Sequence, residues 1–379
     1  MKILLIGEFS RLHNSLKEGL ESYGHEVKII ANGDGFKNYA VDYSTKAVFF
    51  ESKIGNILRQ ITYRITKFDI ASLERGFRFY VHLNKLKGFD VVQFINEKPI
   101  QTIPCIERML LKKVFNSNKK FFLLCCGVDY IVAAYMLEKK GKYSIMNPYF
   151  ENPKAVKNYQ YMLDFLTKSH KKTHDLMHKH IKGIIASDYD YVLPMKNHSK
   201  YLGLIANPIN IQKNTCIETP IIDKIIIFLG INRSTYYAKG ILFFEKALAI
   251  IKEKYNSKIE LIVSENIPYK DYITLYNKAH IVLDQVYAYD QGYNALEAMA
   301  KGKVVFTGAE SEFLIYYELK EDEVAINALP DVDYLVEKLS FLIENHSKII
   351  EIGFNARKFI EKEHDYIKIA EKYLEKWAL

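Results

Sequence analysis

The sequence predicts an α/β protein of two domains, each built on a parallel β-sheet covered by helices. Short apolar, β-branched runs alternate with amphipathic helical patterns, and this alternation fills the chain twice over. The length of 379 residues suits two domains of roughly 100 to 200 residues each. Hydrophobic residues make up 49% and charged residues 26% of the chain, which excludes disordered, collagenous and coiled-coil classes.

Five buried strands are predicted in each domain. In the first they are KILLIG (2–7), EVKII (26–30), DVVQFI (90–95), FFLLC (121–125) and GIIAS (183–187). In the second they are IIIFLG (225–230), IELIV (259–263), HIVLD (280–284), KVVF (303–306) and EVAI (323–326). Helical spacing of Phe244, Leu248 and Ile251 between two of these runs indicates a crossover helix, which makes neighbouring strands parallel.

The domain boundary is predicted near Asn207-Pro208, because the residue before proline is pushed out of helix and a polar stretch follows. The linker then covers 206–222, and the domains cover 1–205 and 206–364. The last helical pattern, 365–379, can pack on either domain. Ligand sites of parallel sheets lie outside the carboxyl ends of the strands, so the cleft between the domains is the expected site.

Charge is divided unevenly along the chain. Residues 1–205 hold 32 Lys and Arg against 19 Asp and Glu, a balance of +13, whereas residues 206–379 hold 21 against 26, a balance of −5. The basic half indicates an anionic partner, and we expect an anionic membrane surface rather than nucleic acid. A basic, apolar stretch at 108–122 is one candidate contact. The alternative is a lysine-rich solvated face.

Cysteine usage and hydropathy favour a cytoplasmic protein. Cys105, Cys125, Cys126 and Cys216 show neither a disulfide framework nor metal-ligand spacing. The N-terminal apolar run ends before Glu8, too early for a signal peptide, and no run approaches the roughly 18 apolar residues of a membrane span.

Two cations mark a predicted phosphate site in the second half. Arg233 comes three residues after the glycine that ends IIIFLG, and Lys239 precedes Gly240 and the helix that follows. A cationic pair beside a helix N-terminus is suited to a diphosphate, although a loop with two solvated cations is the structural alternative.

The stretch DQGYNALEAMAKG, 290–302, is the second candidate. Gly292 allows a close turn, and Asn294 with Glu297 has the spacing of a helix capping box. A purely structural role therefore explains the glycine and the Asn294–Glu297 pair. In the functional alternative the helix amides bind phosphate and Glu297 accepts hydrogen bonds from ribose hydroxyls.

These residues resemble the retaining glycosyltransferases of family 4, which have two Rossmann-like domains in the arrangement called GT-B, with parallel sheets facing across a cleft. The resemblance runs over nearly the whole chain. It is carried by ESYGHEV (21–27), FDVVQFIN (89–96), ANPIN (206–210), GINRSTYYAKG (230–240), YNKAHIVLDQ (276–285) and, most specifically, LEAMAKGKVVFTG (296–308).

The resemblance implies a donor site on the C-terminal domain. Arg233 and Lys239 would hold the diphosphate of a nucleotide sugar, and Glu297 would hold the ribose. Gly292 and the amides of Tyr293, Asn294 and Ala295 would form the phosphate side. The base would lie near Ser264 to Pro268. No metal or other cofactor is expected for this chemistry.

The sequence departs from the family pattern at two positions. The family motif has a glutamate eight positions before Glu297, where this chain has Tyr289, and Asp290 one step along is the expected substitute near the sugar. The histidine often found before a glycine after the fourth strand is here Cys126.

Three further features of the sequence contain candidate site residues. His13 and Asp129 follow strands of the first domain and are expected in the cleft as catalytic candidates; the alternative for His13 is a solvent histidine in an N-capping stretch. HDLMH, 174–178, places two histidines at i and i+4, but a zinc protease helix needs Glu at the second position and a third ligand. We therefore interpret it as a basic surface helix.

The predicted function is transfer of a sugar from a nucleoside diphosphate sugar to the hydroxyl of a sugar or lipid-linked acceptor, with retention, in cell-surface polysaccharide or lipopolysaccharide synthesis. The enzyme would be cytoplasmic or peripheral on the inner face of the membrane. The alternative is a catalytically silent nucleotide-sugar binder or partner subunit, which Tyr289 and Cys126 allow. A dinucleotide-dependent oxidoreductase is disfavoured, because KILLIGEFS lacks the GxGxxG turn.

Overall fold

A computed structural model describes residues 1–66, 68–265, 267 and 269–379, with the backbone alone at positions 36, 269 and 270. The described chain contains two parallel sheets flanked by helices. This confirms the predicted two-sheet α/β class. The strands are β1 Lys2–Ile6, β2 Glu26–Ala31, β3 Tyr43–Ser44, β4 Val91–Phe94, β5 Lys120–Cys125, β6 Gly183–Ala186, β7 Tyr201–Leu204, β8 Ile225–Ile231, β9 Ile259–Glu265, β10 Ile281–Leu283, β11 Val304–Thr307 and β12 Ile326–Asn327.

Helices connect most of the strands. They are α1 Leu12–Ser22, α2 Lys53–Thr66, α3 Ala71–His82, α4 Pro104–Phe115, α5 Tyr130–Leu137, α6 Asn147–Glu151, α7 Gln160–Leu163, α8 Lys168–His180, α9 Tyr189–Met195, α10 Ile241–Tyr255, α11 Tyr269–Lys278, α12 Tyr293–Ala300, α13 Ser311–Tyr317, α14 Val332–Glu344, α15 His346–Glu363 and α16 Tyr366–Ala378.

The first sheet has the strand order β3-β2-β1-β4-β5-β6-β7, and the second has the order β12-β11-β10-β8-β9. In both sheets the first strand is an inner strand. The next strands in the chain lie on one side of it, and the later strands lie on its other side. Nine of the ten predicted strands are present at their predicted positions, and runs such as Ile3–Ile6 are buried on both faces of the sheet. The prediction at 323–326 was wrong in its bounds, since the strand there is Ile326–Asn327. Sequence reasoning missed β3 and β7, since β3 has two residues and every residue of the edge strand β7 is only partly buried.

The C-terminal helix completes the core of the first sheet. Trp377, Tyr373 and Ile369 of α16 are at most 1% exposed and share a hydrophobic cluster with β1, β2 and β5. The Trp377 ring lies 6.3 Å from that of Phe122. The chain therefore leaves the first sheet after β7, builds the second sheet, and returns to the first.

The outgoing and returning segments pair where they pass each other. The Ile209 amide donates to the His364 carbonyl at 2.7 Å, and the Tyr366 amide donates back to the Ile209 carbonyl at 3.2 Å. His364 is buried and its Nδ1–H donates to the Asn207 carbonyl at 2.8 Å. The two segments that connect the sheets are therefore hydrogen-bonded to each other at the predicted linker. Among the described residues, no helix is both long enough and apolar enough to cross a bilayer.

Candidate functional site

Arg233 lies on the loop after β8, with its side chain 52% exposed. Its guanidinium donates to Glu265 from Nε at 2.8 Å and from Nη2 at 2.6 Å, and lies 5.0 Å from the ring centre of Tyr236. The ion pair is open to solvent, where such pairs contribute roughly 0 to 1 kcal/mol. A diphosphate can therefore replace Glu265 as the partner of Arg233 at low cost.

Lys239 is held by a buried carboxylate that sequence reasoning missed. Its Nζ donates to Asp284 Oδ1 at 2.8 Å, and the Asn294 side-chain amide donates to the same oxygen at 3.0 Å. Asp284 is 3% exposed at the end of β10, and its Oδ2 has no hydrogen-bond partner among the described residues. The network joins the β8 loop, β10 and α12 into one rigid edge.

The capping-box interpretation of α12 was wrong. The helix starts after Gly292, and none of the described side chains caps it. Asn294 instead accepts a hydrogen bond from the Tyr272 hydroxyl at 3.1 Å and donates to Asp284. Gly292 has φ −72° and ψ 163°, an extended conformation that any residue adopts. The first turn thus leaves the amides of Tyr293, Asn294 and Ala295 without a side-chain cap.

Glu297 lies on α12, close enough to the first domain for Lys37 and Arg11 to influence its pKa. Its carboxylate accepts no hydrogen bond from the described residues. Burial raises the pKa of Glu297, while Lys301 and the first-domain cations Lys37 and Arg11 oppose that rise. A partly buried carboxylate without a donor, among cations of both domains, is suited to accept hydrogen bonds from ligand hydroxyls.

Tyr293 links α12 to the first domain. Its hydroxyl donates to the Pro208 carbonyl at 2.9 Å and lies 2.7 Å from the Ser15 hydroxyl on α1. These contacts fix α12 against α1, so Glu297 is presented at a defined distance from the first domain. The Tyr293 side chain is therefore a positioning group.

Asp290 lies in an interdomain contact that we call the aspartate clasp, formed by Asp190 and Asp290. Asp290 Oδ2 accepts from the Tyr189 amide at 3.1 Å, and Oδ1 accepts from the Gln291 amide at 2.7 Å. Asp190 accepts from the Tyr289 amide at 3.1 Å and the Asp290 amide at 3.3 Å. Burial raises the pKa of Asp190 to about 7 and that of Asp290 to about 6.

The clasp occupies both oxygens of Asp290, which is 5% exposed. Tyr289, at the position of the family's first glutamate, has its hydroxyl accepting from the Lys142 amide at 2.6 Å. Both side chains thus engage the first domain. A sugar-binding role for Asp290 stays a prediction, and in this conformation neither oxygen is open to a ligand.

His13 and Asp129 are more deeply buried than the sequence predicted. His13 is 0% exposed; its Nδ1–H donates to the Gly7 carbonyl at 2.7 Å, and burial lowers its pKa to about 4. Asp129 is 1% exposed and caps α5 by accepting from the Val132 amide at 2.9 Å. Burial raises its pKa to about 7. Their catalytic roles stay predictions, and the geometry gives each a structural role.

The loop after β1 brings further groups toward the cleft. Ser10 and Arg11 have φ values of 51° and 72°, a left-handed conformation rare for residues other than glycine. Glu8 is 0% exposed; Oε2 accepts from the Asn14 amide at 2.8 Å, and Oε1 has no described partner. Burial raises the pKa of Glu8 to about 7. Sequence reasoning missed this carboxyl group because only the fold buries it.

The predicted base site is only partly described. Ser264 is buried at the end of β9, with its hydroxyl unpartnered among the described residues, and Glu265 is the partner of Arg233. Asn266 and Pro268 lie outside the described residues. Cys126 lies after β5 as a free thiol, and burial raises its pKa, so it stays protonated at neutral pH.

The three histidines of α8 form the least expected cluster. His170, His174 and His178 all donate to Glu97, at 3.1, 2.6 and 3.1 Å, and the Tyr130 amide adds a fourth hydrogen bond at 3.0 Å. Glu97 is 0% exposed, and although burial opposes ionisation these donors hold its pKa well below its usual range. The expected basic surface helix was therefore wrong at these positions, because Glu97 lies 73 residues earlier in the chain.

Glu97, His174 and His178 are also the described residues best placed to hold a metal, with one ligand atom each within 4.8 Å of the others. The 2.6 Å contact between His174 Nδ1 and Glu97 is a hydrogen bond, and four N–H donors already satisfy the carboxylate. In this arrangement the three imidazoles serve as hydrogen-bond donors to Glu97.

Residues 243–375 match the family model described as glycosyl transferase-like. No curated protein matches the sequence at a significant level. Among solved structures, sucrose-phosphate synthase from Thermosynechococcus elongatus is similar at 13% identity and TM-score 0.63, with 100% of this chain and 98% of that chain covered.

Two further structures give the same result. HepE from Anabaena, in complex with UDP and glucose, has 12% identity and TM-score 0.60, with 100% of this chain and 99% of that chain covered. A glycosyltransferase from Rickettsia africae has 14% identity and TM-score 0.52, with coverages of 99% and 97%. At these identities the likeness establishes the fold. The chain therefore has the GT-B fold of two facing parallel sheets, and its residues 243–375 match a glycosyl transferase-like family model.

Proposed function

We propose that this protein transfers a sugar from a nucleoside diphosphate sugar to an acceptor hydroxyl in the cleft between its two sheets, with retention of configuration. The strongest support for this proposal is the arrangement of residues at one edge of the second sheet. Lys239 and Asn294 in the first turn of α12 share the carboxylate of Asp284, and Arg233 lies on the same β8 loop as Lys239. Glu297 lies further along the uncapped helix α12. Cations and free amides suit a diphosphate, and an unpartnered carboxylate suits sugar hydroxyls.

Catalysis would rest on the departing diphosphate. Negative charge develops on its oxygens as the glycosidic bond breaks, and fixed donors around it lower the barrier because they need no reorganisation. Lys239 is already held in place by Asp284, and α12 is fixed to α1 through Tyr293. The leaving phosphate can itself take the acceptor proton, so no protein base is required at Tyr289 or Cys126.

The acceptor is proposed to be a sugar or a lipid-linked sugar of cell-surface polysaccharide or lipopolysaccharide synthesis, reached from the face of an anionic membrane. The basic balance of residues 1–205, 32 against 19, supports this. No metal is proposed for the transfer.

A catalytically silent nucleotide-sugar binder is the second candidate. Tyr289 and Asp290 support it, since both are engaged between the domains and leave the sugar without the family's first glutamate.

A donor panel separates the two candidates. Thermal unfolding is measured with UDP sugars first, because HepE was solved with UDP and glucose, and then with other nucleotide sugars. Release of nucleoside diphosphate is measured with the same donors, with and without lipid-linked acceptors. Stabilisation together with release supports the transferase, stabilisation without release supports the silent binder, and no stabilisation by any donor contradicts both.

A further inference from the structure

Helix α2, Lys53–Thr66, exposes almost all of its surface. Gly55 is its only buried residue among those described. The exposed apolar side chains recur at the spacing of one helix face. They are Ile54 (80% exposed), Ile57 (62%), Leu58 (48%), Ile61 (50%) and Ile65 (79%).

This face needs a covering surface. Helices shorter than roughly 12 to 15 residues are marginal in water, and helices of that length are ordinarily stabilised by packing an apolar stripe onto a core. Among the described residues, α2 is held by Gly55, where an added Cβ would lie 1.9 Å from the Phe49 carbonyl oxygen, and by the ion pair of Arg59 with Asp69. The apolar stripe of α2 therefore points away from the protein.

The apolar surface continues into the neighbouring segment. Phe49 precedes α2, is 56% exposed, and lines an open groove of about 700 Å³ together with Phe77 and Val81 of α3. Phe77 and Val81 are 66% and 59% exposed. We call the α2 stripe and this groove the apolar face. Its extent exceeds the scattered apolar residues of an ordinary soluble surface.

Charge identifies the covering surface. Helix α2 carries no acidic residue and three cations, of which Arg59 pairs with Asp69 while Lys53 and Arg64 are exposed. Residues 46–81 hold seven Lys and Arg against three Asp and Glu, a balance of +4. A second copy of the chain docked through a twofold axis would bring these cations against their own equivalents. An apolar stripe flanked by cations matches the interface of an anionic bilayer.

We propose that the apolar face lies in the headgroup region of an anionic membrane, with α2 parallel to the bilayer surface. Lys112 and Lys113 are exposed, but Lys119 pairs with Asp90 and Lys120 donates to the Trp377 carbonyl. The apolar residues Leu110, Leu111 and Val114 of the stretch 108–122 are buried and cannot insert into a bilayer, so this cluster is the weaker candidate contact. The proposal deepens the proposed function by naming its membrane contact, and it rests on that function only for the identity of the lipid-linked acceptor.

The test is sedimentation with vesicles of phosphatidylglycerol and phosphatidylcholine, and with vesicles of phosphatidylcholine alone. The wild type should bind the anionic vesicles, and 0.5 M salt should weaken binding without abolishing it, because apolar insertion is not screened. The double variant Ile57→Ser/Ile61→Ser should bind about tenfold less or weaker still, since two apolar side chains no longer insert.

A matched control is the double variant Ile350→Ser/Phe354→Ser on α15, whose side chains are 68% and 58% exposed at the same i, i+4 spacing. It should bind like the wild type. Both variants should keep the wild-type unfolding temperature, because the replaced side chains are exposed, and both should keep the wild-type response to nucleotide sugars.

Three outcomes would overturn the proposal. They are no binding of wild type to anionic vesicles at low salt, equal losses in both double variants, and wild-type self-association in solution that Ile57→Ser/Ile61→Ser abolishes. None of them bears on donor binding, so failure here is separable from failure of the proposed function.

Discussion

At the scale of single residues, the candidate site is built from side chains whose partners are not sequence neighbours. Arg233 pairs with Glu265, and Lys239 pairs with Asp284, which reasoning from the sequence placed only inside a strand. The difference between the two pairs matters for the proposed function. The exposed Arg233 pair can exchange its carboxylate for a phosphate, whereas the Lys239 pair, formed with a 3% exposed aspartate, acts as a fixed charge.

Arg233→Ala should weaken donor binding by about 1.5 to 3 kcal/mol, the usual contribution of a hydrogen bond to a charged group, which is roughly 10- to 150-fold. Isothermal calorimetry with the donor found in the panel measures this. Arg357 is a poor control, because it donates to the carbonyls of Asn214 and Ala300 and supports the fold. Lys348→Ala, an exposed change in the same domain, is the control. Equal affinities for wild type and Arg233→Ala would remove the diphosphate assignment.

Glu297→Gln and Glu297→Ala should both lower donor affinity, with the loss larger in the alanine variant, because glutamine keeps one acceptor oxygen for a ligand hydroxyl. The expected loss for alanine is again about 1.5 to 3 kcal/mol. Donor affinity and diphosphate release are measured together, and Glu253→Ala on the exposed face of α10 is the control. If Glu297→Ala binds the donor as the wild type does, Glu297 does not contact it.

At the scale of elements, the strands were predictable and the ends of helices were not. A buried run such as Ile3–Ile6 of β1 is recognisable in the sequence, since all four residues are apolar. The start of α12 shows why local patterns fail: Asn294 has a cap's spacing, but Asp284 and Tyr272 take its side chain. The hydrogen bonds of the Glu97 cluster and of the aspartate clasp could not be predicted for the same reason, because their partners are far apart in the sequence.

The clasp predicts an unusual pH dependence. Burial raises the folded-state pKa of Asp190 to about 7, above the ~3.9 of an unfolded aspartate, so between these values the folded state binds more protons. The clasp's contribution to stability therefore falls as pH rises from about 4 to 7. Asp190→Asn keeps an acceptor oxygen without the titration.

Between about pH 4 and pH 7, the free energy of unfolding should fall less in Asp190→Asn than in the wild type. The expected difference is about 1 to 2 kcal/mol, which allows for the partial exposure of the Asp190 side chain. Urea unfolding of both proteins at pH 4.5 and pH 7 measures the difference. Asp175→Asn, an exposed change on α8, is the control. A wild type and Asp190→Asn variant with parallel pH profiles would show that Asp190 titrates normally.

At the scale of the whole molecule, the two sheets are parts of one chain path rather than two independent units. The linker segment at Ile209 and the returning segment at His364 hydrogen-bond to each other, and α16 then fills the first sheet's core. The aspartate clasp and Tyr293 connect the same domains nearer the candidate site. Sequence reasoning left the location of the last helix open, because an amphipathic pattern does not say which sheet it covers.

Trp377→Ala should therefore destabilise the first domain although it changes the third residue from the end of the chain. The ring is 1% exposed and packs against Phe122 and Tyr373, so we expect a loss of about 3 to 5 kcal/mol. Trp377→Phe should lose less, because it keeps an aromatic ring and removes an indole N–H that has no described partner. Leu379→Ala, at a 77% exposed side chain, is the control and should match the wild type.

Hydrogen exchange measured by mass spectrometry locates the effect. In Trp377→Ala, exchange should accelerate in β1, β2 and β5 of the first sheet before it does so in β8 and β10, because α16 shares its buried cluster with the first set of strands. Acceleration confined to the second sheet, or a Trp377→Ala variant as stable as Leu379→Ala, would contradict this chain path. Faster exchange in both sheets at once would instead mean that the clasp and the paired crossings make the two domains unfold as one cooperative unit.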